Sequence, residues 1–204
     1  MVRQWWIIVL IILVLEAAIY GLSGLATDDW GIQFQLAARY SARVSLLIFI
    51  ALFAWVAREG LKSLFQSEQK RSIINAGVFA FAFNHLLHLL FLIITHYLLG
   101  WELFTLKTSG GILVYILVLL APWYLQKKTH LTSASYRWIY GSFSGACLVF
   151  FVSYLGRWNK ELPFISSKAY FIGSMIVIAG LFLVNMFRIW QERSVKLEVN
   201  AKNE

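Results

Sequence analysis

The sequence predicts an all-α membrane protein, a bundle of six transmembrane helices with both termini cytoplasmic. Three observations predict it. Of 204 residues, 60% are hydrophobic and only 14% charged, and the mean hydropathy is +0.69. A soluble domain carries about 25% charged residues, and a small one has too much surface to hide so many apolar side chains. The apolar residues gather into six runs, and the basic residues between the runs favour one side of a membrane. Composition thus excludes a water-soluble enzyme and a disordered chain. The single Cys147 excludes an intrachain disulfide.

The six runs cover residues 5–25, 36–57, 73–99, 108–125, 138–155 and 170–190, against the roughly 20 apolar residues that a spanning helix needs. The first follows Arg3, carries Glu16, and lacks the short core and A-x-A site of a cleaved leader, so it reads as a retained helix. The second opens with Arg39 and Arg43, whose long stems can snorkel towards the interface. The third follows Lys70-Arg71 and holds three of the four histidines. The fourth is short, and Pro122 should loosen its last turn. The fifth contains Gly141 and Gly145 at the spacing that lets helices approach closely. After the sixth, residues 191–204 read as a polar cytoplasmic tail that should fray, leaving 1–190 as a single six-helix transmembrane domain.

Charge supports this order of crossings. With the N-terminus inside, Arg3, Arg58, Lys62, Lys70, Arg71, Lys127, Lys128, Arg137, Arg188, Arg193, Lys196 and Lys202 lie inside, twelve of the 18 basic residues. Arg39, Arg43, Lys107, Arg157, Lys160 and Lys168 lie outside. That bias follows the positive-inside rule, and Trp30, Trp101, Trp123, Trp138, Trp158 and Trp190 fall near span ends, where indoles favour the headgroup zone. The net charge of +8 therefore reads as topology and contact with anionic lipid, not as nucleic-acid binding. The expected partner is the lipid bilayer, and the expected place is a bacterial inner membrane, crossed several times.

Ionisable groups at membrane depth are costly and direct attention to function. In the third span, His85 and His88 lie on neighbouring parts of one helix face. His96 returns to nearly the same face about 16 Å further along the axis. The residues Ala76, Ala80, Asn84 and His88 form an i+4 stripe whose small members admit a flat group or another helix. A neutral imidazole is a good axial ligand for haem iron, so His85 and His88 are candidate metal ligands. The bland alternative is that each bonds a hydroxyl or a backbone carbonyl on a neighbouring helix. For these two histidines the readings stand level. For His96, near the outer surface, packing is the favoured reading, and His130 reads as a solvated loop residue. A zinc site is less favoured, because His85, His88 and Glu16 would have to meet at one depth. Glu16, the one acid well inside a span, is either a proton-relay or ligand residue, or a protonated carboxyl bonded across helices.

The order of features from 36 to 158 resembles the ferric-reductase-like transmembrane domain family, in particular the haem-binding membrane subunit of the bacterial periplasmic methionine sulfoxide reductase system. The matching stretches are Ala38-Arg39-Tyr40-Ser41-Ala42-Arg43, Lys70-Arg71, Phe79-Ala80-Phe81-Ala82-Phe83-Asn84-His85 and Ser109-Gly110-Gly111-Ile112-Leu113-Val114-Tyr115. The chain departs from the family in its later helix, which carries no histidine; Tyr140 and Ser153 stand where ligands are expected. Tyrosine can bind haem iron, whereas serine is a poor donor. The resemblance implies a b-type haem (haem b) held by His85 or His88, with Tyr140, a partner protein or a second copy of the chain completing the site. The function so implied is electron transfer from a cytoplasmic-side reductase to an outer-side redox partner. The alternatives are a cofactor-free membrane scaffold or assembly partner of the same fold, or, less favoured, a small proton-coupled transporter; a second copy of the chain, as a homodimer, is among the candidate partners.

Overall fold

A computed structural model describes residues 2–102, 116, 118, 120–125, 132–158 and 167–201. Among them all regular structure is helical: α1 (Val2–Gly24), α2 (Trp30–Glu59), α3 (Leu61–Gln66), α4 (Glu68–Leu99), α5 (Ser133–Leu155) and α6 (Lys168–Ala201). Among the described residues, five helices are long and apolar enough to cross a membrane: Trp5–Gly24, Trp30–Glu59, Glu68–Leu99, Ser135–Leu155 and Lys168–Gln191. Of the expected fourth span, residues 116, 118 and 120–125 are helical. The rest of that span, the Ser109–Val114 stretch, Lys127, Lys128 and His130 lie outside the described residues.

The helices start earlier than their apolar runs because polar residues cap them. The Asp29 carboxylate accepts from the Ile32 N–H at 3.0 Å, so α2 begins at Trp30, before the run that opens at 36. Thr132 does the same for α5, its hydroxyl accepting from the Ser135 N–H at 3.1 Å. The six apolar runs do not announce α3. It is set off from α2 by Gly60, whose φ of 78° and ψ of 146° are open essentially to glycine alone. Leu61 and Leu64 of this short helix are fully buried, which ties the bend down. At the far end, α6 does not stop at Trp190; it runs through a segment of good helix formers without Gly or Pro to Ala201.

The chain divides into two compact units, Met1–Leu52 with Glu68–Thr129, and Phe53–Ser67 with His130–Glu204. In the first, aromatic rings join α1 and α2 to α4. Trp5 meets Phe79 edge-on at 4.2 Å between centroids, and Tyr20, Phe34 and Phe91 form a cluster at 4.8–6.3 Å. A Cβ on Gly31 would sit 2.5 Å from Leu99, so α2 comes very close to α4 there. Outward, α1 presents exposed Leu10, Ile11 and Val14, a surface suited to lipid.

In the second unit, Phe53 stacks on Phe143 at 5.4 Å, and Tyr154 packs against Tyr170 and Phe171. Arg188 of α6 reaches the end of α2, donating from Nε to the Ala57 carbonyl at 2.8 Å and from Nη2 to the Arg58 carbonyl at 2.6 Å. A helix ends with carbonyls that have no partner of their own, and a guanidinium placed there satisfies them and meets the negative end of the helix dipole.

The Gly60→Ala variant should lower stability by about 1–3 kcal/mol, the cost of holding a side chain in that backbone region. Gly141→Ala, where an added Cβ meets nothing within 4 Å, should be neutral or slightly stabilising. Thermal unfolding of the two detergent-solubilised variants beside the parent checks the contrast.

Candidate functional site

The polar centre of the first unit is built from α1, α2 and α4. Glu16 is 3% exposed and Asn84 fully buried. Asn84 lies at the midpoint of α4, about 24 Å along the axis from Glu68. Its Nδ2 donates to Glu16 Oε1. The same carboxyl oxygen accepts from the Ser41 hydroxyl at 2.9 Å, and the Ser45 hydroxyl donates to Asn84 Oδ1 at 2.6 Å. Ser41 and Ser45 are one turn apart on α2 and both fully buried. Four side chains from three helices therefore share one connected set of hydrogen bonds. Glu16 Oε2 is buried too, and has no hydrogen-bond partner among the described residues.

His85 follows Asn84 in sequence, so the bonds that seat Asn84 also set the rotation of α4 at His85. The His85 side chain is buried at 7% exposure, stacked on Phe81 with ring centroids 5.4 Å apart. Phe49 of α2 packs on Phe81 from the other helix, at 5.4 Å. The rings of His85 and His88 lie 5.4 Å apart, tilted by 40°. Thus the two imidazoles do share one side of α4, as their spacing predicts.

The remaining candidates fall elsewhere. His96 bonds its own helix, Nδ1 lying 2.8 Å from the Leu92 carbonyl, with its ring edge-on to Trp101. The bond stays within α4, whereas the packing reading expected a partner on a neighbouring helix. Tyr140 belongs to the second unit, 2% exposed, with its ring against Tyr136 and its hydroxyl 3.5 Å from the Leu61 N–H that it accepts from. It holds the start of α3. Among the described residues no group of three or more His, Cys, Asp and Glu side chains is placed to hold a metal ion. Glu16 bonds to Ser41 and Asn84, and the zinc arrangement that would need it beside both histidines is not formed there.

Sequence reading overlooked Ser41 and Ser45 as partners of the buried acid. Their i, i+4 spacing inside an apolar run was the available signal. It also overlooked Asn185, fully buried on α6, whose Nδ2 points to the Ser144 hydroxyl at 3.5 Å. An amide in the middle of an otherwise apolar span was the mark of it.

His85 and His88 sit side by side on one helix, and a neutral imidazole of either is a chemically suitable donor to a haem iron.

The Asn84→Ala variant should lower stability by about 1–2 kcal/mol, because it removes one of two hydrogen bonds to Glu16 Oε1 and leaves the Ser45 hydroxyl without its acceptor in an apolar interior. Thr95→Ala should cost less than about 0.5 kcal/mol, since that hydroxyl only bonds the Phe91 carbonyl of its own helix at 2.7 Å. Unfolding in mixed micelles with increasing SDS measures both. No protein family, curated protein or solved structure matches this chain.

Proposed function

We propose that the chain is a membrane-embedded electron-transfer subunit that would hold one b-type haem beside α4 through His85 or His88. The observation that carries this reading is the pair of imidazoles in ring contact on one side of a membrane-spanning helix, next to its midpoint. A bound haem would supply reversible one-electron exchange at that depth. The protein's own residues do the rest. Phe81 covers one face of His85 and keeps lipid from it, while the Asn84–Glu16 bond fixes the rotation of α4 against α1.

In this reading both termini face the cytoplasm of a bacterial inner membrane, because the basic residues concentrate on that side. Electrons enter from an inner-side reductase and leave to an outer-side redox partner. The scaffold alternative makes the same histidines interhelical contacts, and the two readings differ in one measurable property, colour.

Protein purified in detergent from haem-replete cells should show a Soret band that shifts on dithionite reduction. The band should vanish in the His85→Ala/His88→Ala double variant and persist in Tyr140→Phe, whose hydroxyl serves α3. A colourless parent protein, or a band untouched by the double variant, overturns the haem reading.

A further inference from the structure

We infer that Glu16 is a proton-binding site: its carboxyl holds a proton on Oε2 while Ser41 and Asn84 hold Oε1. This does not depend on haem. The geometry separates the two carboxyl oxygens. Oε1 accepts from the Ser41 hydroxyl and the Asn84 amide, the pattern of the carbonyl oxygen of a neutral acid. Oε2 is buried, with no hydrogen-bond partner among the described residues, and is the oxygen left for the proton.

A charge placed there would have little to stabilise it. Two hydrogen bonds to a single oxygen do not replace the water that a carboxylate loses at 3% exposure, and a buried ion that lacks such compensation takes its neutral form. The other titratable and charged groups on these elements are Arg3 and Tyr20 on α1, Arg39, Tyr40, Arg43, Arg58 and Glu59 on α2, and Glu68, Lys70, Arg71, His85, His88, His96 and Tyr97 on α4. The described bonds of Glu16 go to Ser41 and Asn84 instead. The step itself is simple: one O–H bond forms, the proton comes from water, and no electron moves. Ser41, Asn84 and Ser45 keep the carboxyl in one rotamer through both states, because none of their bonds uses Oε2.

Infrared difference spectroscopy of the full chain in lipid nanodiscs tests this at neutral pH. The parent should carry a protonated-carboxyl C=O band that is lost in Glu16→Gln. Ser41→Ala keeps the acid but removes one of two hydrogen bonds to its carbonyl oxygen, so it should move the same band to higher frequency. Transfer to D2O should lower the band, as it does for an exchanging acid proton. Should Glu16→Gln fail to fold, the Ser41→Ala and D2O shifts carry the assignment alone. A parent-minus-variant difference in the carboxylate region instead, or an acid band that neither Ser41→Ala nor D2O moves, overturns the inference.

Discussion

The first unit depends on a hydrogen bond between a carboxyl on α1 and an amide at the midpoint of α4. Between helices in lipid there is no hydrophobic driving force, since the surrounding tails are as apolar as leucine. Apolar helices can then slide or turn against each other at little cost. Glu16 and Asn84 restrict that freedom, because parting them leaves the Asn84 amide N–H without its acceptor where no water replaces it. Ser41 and Ser45 extend the constraint to α2, one turn apart, so they fix its height as well as its rotation.

The placement of the histidines follows from that constraint. Phe81 and His88 meet His85 because they lie four and three residues away on the same side of α4, and the bond of Asn84 to α1 sets which way α4 turns. Phe49 and Phe81 then form an aromatic wall beside His85, and such rings fill space without competing for an imidazole nitrogen. A ligand helix needs this kind of support, because a donor held loosely loses the geometry that a metal or a proton transfer requires. His96, several turns away, lacks it and bonds its own backbone.

The second unit is held by other means. Its charged contact is with backbone: Arg188 meets the carbonyls that end α2, and the positive φ of Gly60 lets the chain turn directly into α3. Tyr140 supports the start of that helix through the Leu61 N–H. An arginine at a helix end gains from the dipole and from unpaired carbonyls together. Asn185 and Ser144 repeat, in weaker form, the device of the first unit: polar side chains deep in apolar helices set which faces meet.

Composition and apolar run length were enough to determine that the chain is helical and suited to a bilayer, because lipid admits few ways to satisfy a backbone. They also drew attention to His85 and His88 in the third run and to Glu16 in the first, since the cost of an ionisable group at membrane depth is visible residue by residue. Helical periodicity correctly put the two imidazoles side by side. The short helix α3 was not legible, as it has six residues and no period of its own, and neither was the extension of α6, where polarity masked good helix formers. Which residues meet Glu16 was likewise decided only by tertiary structure. Contacts across helices depend on relative rotation and height, and nothing in the local sequence of α1 encodes the positions of Ser41 and Asn84 on two other helices.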